Sequence, residues 1–404
     1  MDVSDANLDC RPSHRHQIRS YPSAALWLLL AYVLTACNTV PRATDTQLET
    51  TRVERPAIHT DEAGLWLVSD KYENSLRSSG RLEKDPTLNA YVRSVLCRIA
   101  PSDCQTVRLY IVRSPHFNAF MSPNGALIVW SGMLLRAANE AQLAYVLGHE
   151  MGHYWQRHSV QRWRSARAGS DLAALFSVAA AAAGVGYIGP IGGLVAMGNL
   201  SSFSKDQERD ADEIGLRALA NANYDPLAAS HLWRSIQREV KARPDRPALF
   251  FASHPSTDER EETMQTRGKA VAGTSAKHIH EARFRTAIEP FVKRWIADEV
   301  RVHSFEVGQA LLRQFRDQGV SGGLIDFFVG EIHRRRADEG DGQLALKAYA
   351  RAAESDDAPT ELYRSIGLVH QRMGDKNAAS DAFRTYLRRS PNAPDRQMIQ
   401  SYLN

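Results

Sequence analysis

Two histidines stand four positions apart in His149-Glu150-Met151-Gly152-His153, and this spacing constrains the chain more than any other feature. Asn139 offers a helix N-cap with Gln142 three positions on, and Leu143, Val146 and Leu147 supply an apolar backing, so the segment is predicted as a helix. Four helical residues turn through about 400°. Both imidazoles then project from one face one turn apart, which suits two ligands of a tetrahedral zinc. Glu150 is rotated off the pair yet stays beside the open coordination position, where a carboxylate can take a proton from an attacking water. The expected cofactor is one zinc ion per chain.

A catalytic zinc needs a third protein ligand. The long form of the motif, with Gly at 156 and His at 159, is excluded because Gln156 and Ser159 stand there. His158 lies five positions past His153; continued helix would point it about 140° away, as a surface side chain. Glu208-Arg209-Asp210-Ala211-Asp212 is the better source, because Glu208 and Asp212 are again i and i+4 on a helix. One carboxylate can ligate while the other hydrogen-bonds a ligand histidine.

The ordered set Asn118-Ala119-Phe120, Pro123-Asn124-Gly125, HExxH, Glu208-x-x-Ala211-Asp212, Tyr224-Asp225-Pro226 and Ser253-His254-Pro255 resembles the HtpX-type zinc metallopeptidases over residues 65–265. The resemblance implies a gluzincin-type metalloendopeptidase. Zinc would be held by His149, His153 and Glu208, with Glu150 as general base and Asp212 orienting a ligand. His254, on its own residues only a loop histidine before proline, would steady the transition state or occupy the open position in a resting form. Asn118, Ala119, Phe120 and Met121 would form an edge strand onto which substrate backbone adds. The fold class expected is mainly α (α+β): a zincin-like helical domain with a small edge-exposed β-sheet, then a helical repeat domain.

Arg11, Arg15 and Arg19 precede a short apolar run, Ala24 to Val33, too brief for a spanning helix of about 20 residues; it reads as a secretory signal. Leu34-Thr35-Ala36-Cys37 resembles a lipobox, so lipidation is expected at Cys37, and Asn38 favours the outer membrane. Residues 1–36 are thus the signal, 37–60 a polar tether, 61–285 the peptidase domain and 286–404 the repeat domain. In an exported chain Cys97 and Cys104 are expected to form a disulfide, two buried thiols being the alternative. A net charge of +4, from 50 basic and 46 acidic residues, gives no reason to invoke nucleic acid.

Val107 to Val112 and Ala126 to Trp130 read as strands. Residues 172–204 carry no charge, and His149, His153 and Glu208 must share one side of any membrane. Two crossings need about 40 apolar residues, so two short apolar helices around a glycine-rich turn are expected instead. Tyr363, Ile366, Gly367, His370, Gly374, Ala379, Phe383, Tyr386 and Pro391 resemble a tetratricopeptide repeat, and a step back of 34 lands on Val329, Ile332, Gly340, Ala345, Tyr349 and Ala352. Ala287 to Gly319 and the tail from Asp395 are expected to cap this array. Taken together, these readings lead to a zinc endopeptidase of the bacterial envelope, periplasmic and lipid-anchored to the outer membrane. Its protein substrates would be misfolded or stalled envelope proteins, with a protein partner on the repeats. The alternative is a chaperone or scaffold acting through the repeats, with a latent metal site.

Overall fold

The computed structural model describes residues 54–168, 203–241, 254, 259–273 and 277–403. The signal, Cys37 and the apolar stretch 172–200 lie outside the described residues. No helix among those described is long and apolar enough to cross a membrane.

Two helices, α1 (Asp61–Ser78) and α2 (Pro86–Ile99), open the described chain. Each start has a local cause: the Thr60 hydroxyl accepts from Ala63 N–H, and Asp85 accepts from Leu88 N–H with Pro86 in the first turn. Cys97, near the end of α2, is bonded to Cys104 in the loop that follows. A three-stranded sheet comes next, with order β1 (Arg108–Val112), β3 (Ala126–Trp130), β2 (Ala119–Met121). β1 runs parallel to β3, with Leu109 opposite Leu127; β2 runs antiparallel, with Phe120 opposite Ile128. Leu65, Tyr72 and Leu76 of α1 pack with Phe120, Ala126, Ile128 and Trp130 on one face. Every residue of β3 is buried, each large side chain contributing about 1.5–3 kcal/mol.

β2 is the edge of the hydrogen-bonding order, but all three of its residues are buried. The sheet edge expected to be exposed is thus covered along this strand. Trp130 N–H donates to Asn118 O and Ser122 N–H to Ala126 O, so Ala119 and Met121 turn their backbone polar groups away from β3.

After α3 (Ser131–Arg136) the central helix α4 (Glu140–Trp155) is buried along nearly its whole length. Its neighbour α6 (Lys205–Asn221) crosses it very closely, and glycine is the reason. A Cβ on Gly152 would lie 3.0 Å from Ala211 Cα, and one on Gly215 would lie 3.1 Å from His149 N. That approach brings the first two turns of α6 against the HExxH face. Of the remaining helices here, α5 (His158–Ala168) and α7 (Leu227–Lys241) pack on α4, and α8 (Glu259–Ala272) packs on α6 and α7.

The last third is helical throughout: α9 (Glu281–Val302), α10 (Phe305–Asp317), α11 (Gly322–Arg336), α12 (Asp341–Ala353), α13 (Leu362–Arg372), α14 (Lys376–Arg389) and α15 (Arg396–Ser401). The boundary drawn at 285/286 falls inside α9, a continuous helix despite Pro290. α9 is tied to the rest by Arg136, which is wholly buried and pairs with both Glu239 of α7 and Glu299 of α9. α11 with α12 and α13 with α14 form helical hairpins. A Cβ on Gly330 would meet Tyr349 Cε1 at 2.2 Å, and one on Gly367 would meet Phe383 Cε1 at 2.4 Å. The second helices thus keep the 34-residue step (Tyr349, Phe383), but the first helices do not. Gly367 corresponds to Gly330, not to position 333: 19 residues separate Gly330 from Tyr349 and 16 separate Gly367 from Phe383, the longer connection after α11 supplying one of the three extra residues.

Candidate metal centre

Asn139 caps α4 by accepting from Gln142 N–H at 3.0 Å, which sets the helix phase that aims His149 and His153 at one point. Ser204 and Gln207 cap α6 reciprocally, fixing Glu208 in its first turn. His254 joins them from a distant part of the chain. These four side chains are buried, with one ligand atom from each lying within 4.8 Å of every other. His149 Nε2 is 3.1 Å from His153 Nε2 and 3.3 Å from His254 Nδ1. Glu208 Oε1 is 2.9 Å from His254 Nδ1 and 3.4 Å from His153 Nε2.

These separations test the fit of a metal. Ligand bonds of about 2.0–2.1 Å in a tetrahedron place the donor atoms about 3.3 Å apart. The observed set straddles that value, and three nitrogens and a carboxylate oxygen are zinc donors. His149 Nδ1 stands 2.9 Å from Asp212 Oδ1, so its Nε2 presents a lone pair to the cluster. A cation held there would be met by ring nitrogens of His149, His153 and His254 and by Oε1 of Glu208.

Around the donors the polar groups are arranged in layers. Burial would raise the Asp212 carboxyl, but Arg260 and His149 hold it below the usual range. Arg260 Nη1 lies 2.8 Å from Glu208 Oε2 and Nη2 lies 2.6 Å from Asp212 Oδ1. One guanidinium thus clamps both carboxylates and leaves Glu208 Oε1 to the cluster. It lies over the Trp233 ring at 4.1 Å. Sequence reasoning missed Arg260, since an arginine in the charged run Glu259-Arg260-Glu261-Glu262 gives no local signal. It also misplaced His158. That residue is 2% exposed, with Nδ1 2.9 Å from His153 Nδ1, because the helix breaks before it and the extrapolated rotation does not apply.

Glu150 Oε2 accepts the Met121 N–H at 3.1 Å, and Oε1 is buried without a hydrogen bond among the described residues. Burial pushes this carboxyl up and pushes His153 well down. His254 Nε2 is 3.6 Å from Glu150 Oε1, so His254 faces the donors with one nitrogen and Glu150 with the other. The candidate base therefore sits on the side of β2 that β3 leaves free. Asn118, Ala119, Phe120 and Met121 run past it.

The family described as Peptidase family M48 matches residues 83–267. Mitochondrial metalloendopeptidase OMA1 of Schizosaccharomyces pombe is 35% identical over 174 residues, 42% of this chain and 50% of that protein. The putative beta-barrel assembly-enhancing protease of Vibrio cholerae is 28% identical over 232 residues, 54% of this chain and 48% of its own length. The beta-barrel assembly-enhancing protease of Escherichia coli is 27% identical over 236 residues, 54% of this chain and 47% of its own. The chain spans about half the length of these curated relatives.

Proposed function

We propose that the protein is a zinc-dependent endopeptidase of the bacterial envelope, a reading supported by the match of Peptidase family M48 to residues 83–267. The observation that carries this reading is the convergence of His149, His153 and Glu208 beside a buried carboxylate, Glu150. A zinc ion held there supplies Lewis acidity, making water more acidic and polarising a carbonyl. Glu150, its affinity for protons raised by burial, takes the proton of the attacking water and passes it to the departing amine. Substrate backbone adds to β2, where Ala119 and Met121 face away from β3; the Met121 N–H then has a choice between substrate and Glu150.

His254 completes the donor set in this conformation. Its ring fills the space beside Glu150 that a substrate carbonyl would need, which supports a resting-form role for His254. The HtpX-type motif set supports the same assignment of roles. Cys37 as a lipidated residue, attachment at the periplasmic face of the outer membrane and tetratricopeptide-type pairing in residues 286–404 extend the reading to place and partner. The glycine–aromatic contacts at Gly330 and Gly367 support the last of these. The relatives named beta-barrel assembly-enhancing protease support misfolded or stalled outer-membrane proteins as substrates.

One observation favours a second reading. Four protein donors with no open position are the pattern of structural zinc sites, which fits a scaffold that works through its repeats. Glu150→Gln separates the two. The peptidase reading expects zinc content intact, cleavage of an unfolded outer-membrane protein abolished and that substrate trapped on the variant. Full in-cell function in Glu150→Gln would establish the scaffold.

A further inference from the structure

α4 ends at Trp155, and the chain then turns at Arg157, whose φ of 54° lies in the left-handed region. A non-glycine residue there costs on the order of 1 kcal/mol or more unless its surroundings hold it. Here the Arg157 guanidinium pairs with Glu62, a buried carboxylate of α1. α5 restarts at once with His158. The turn sets the His158 ring in T-shaped contact with His153, centroids 5.0 Å apart. Phe203 stacks on His153 at 3.8 Å, so the His153 ring is packed by Phe203 and braced by His158.

The two Nδ1 atoms are 2.9 Å apart, and a single hydrogen serves that contact. His153 Nε2 belongs to the donor cluster and presents a lone pair there, so the ring's hydrogen is on Nδ1. We infer that His158 is a positioning residue for the metal: its Nδ1 accepts the His153 Nδ1–H and holds the His153 Nε2 lone pair toward the donors. This rests on the zinc reading above. The two HExxH histidines then carry different braces, His149 a carboxylate (Asp212) that is itself neutralised by Arg260, and His153 an uncharged ring. Removing the His158 acceptor leaves a buried N–H unpaired and the His153 ring held by the Phe203 stack alone.

The test measures zinc affinity of the full chain by competition with a chromogenic chelator, alongside thermal unfolding of the metal-free protein. His158→Phe fills the space and removes the acceptor; it is expected to weaken zinc binding roughly tenfold to a hundredfold. His158→Asn, whose Oδ1 can take the same N–H, is expected to stay within about threefold of the parent. Metal-free melting temperatures should fall by no more than several degrees, as for one unpaired buried N–H, and His158→Leu replaces the Phe variant if that one does not fold. Equal affinity in parent and His158→Phe, or equal weakening in the Phe and Asn variants, overturns the role of His158 while the zinc reading stands. A parent that takes up no stoichiometric zinc overturns both.

Discussion

Two regions of this protein bury clusters of charge, and they do so to different ends. Around Arg136, every charged group is matched. The guanidinium reaches both oxygens of Glu239 at 2.5 and 3.0 Å and both oxygens of Glu299 at the same distances, and His303 adds a contact to Glu299 at 2.8 Å. Around His149 the carboxylates are also held, by Arg260 and His254, but the arrangement differs. Donor atoms of three imidazoles and a carboxylate converge within 4.8 Å of one another, Arg260 holds the outer carboxylate oxygens, and Glu150 keeps an oxygen without a hydrogen bond among the described residues. The first cluster fastens α3, α7 and α9; the second is ordered to receive something. Buried charge is therefore no sign of function by itself. Four ligand-type atoms gathered on one point beside an unbonded carboxylate oxygen are the more specific sign.

Substitutions can break or sharpen this contrast. The largest effect is expected at Glu150. Glu150→Gln should lower kcat/KM on an unfolded protein substrate by roughly 10²–10⁴-fold while leaving zinc content unchanged, as measured by cleavage kinetics and metal analysis. Arg136→Met comes next. It leaves two carboxylates buried without their cation and should cost about 3–5 kcal/mol in chemical denaturation, yet the folded fraction should still bind zinc. If Arg136→Met instead emptied the metal centre with stability intact, the two clusters would not be separate in kind.

Smaller effects lie outside both clusters. Gly367→Ala forces a methyl against Phe383 and should destabilise by about 1–3 kcal/mol, without changing hydrolysis of a short peptide. The smallest concerns Glu73. Burial would raise its carboxyl, but Arg108, Tyr110 and Arg77 lower it from 4.5 to about 2. A carboxyl depressed in the folded state stabilises fully above its unfolded pKa and loses that contribution as pH falls toward the folded value. Unfolding measured between pH 5 and pH 2.5 (acid limbs about these values) should therefore weaken more steeply in the parent than in Glu73→Gln.

Local spacing carried most of what could be read in advance. The four-residue step of HExxH, the Asn139 cap, the apolar runs of β1 and β3 and the Tyr349–Phe383 step in the repeats are all set by residues close in sequence. What escaped depends on backbone breaks and distant partners. His158 was extrapolated along a helix that stops at Trp155, and the left-handed Arg157 is held by Glu62 nearly a hundred positions earlier. Arg260 acts only because folding brings Asp212 and Glu208 to it. The covered edge of β2 reflects tertiary packing against α4, which alternation within three residues does not encode. The first repeat helix slipped because three more residues separate its glycine from the paired aromatic in the first hairpin than in the second, a difference that a fixed 34-residue step cannot register.

One measurement bears most directly on the central claim: metal content of the purified full chain after dialysis against metal-free buffer, set beside the His149→Ala and Glu208→Gln variants. The account predicts one zinc ion per parent chain and a near-complete loss in both variants, with folding retained by circular dichroism. A parent without stoichiometric zinc, or a Glu208→Gln variant that holds it as tightly as the parent, would contradict it.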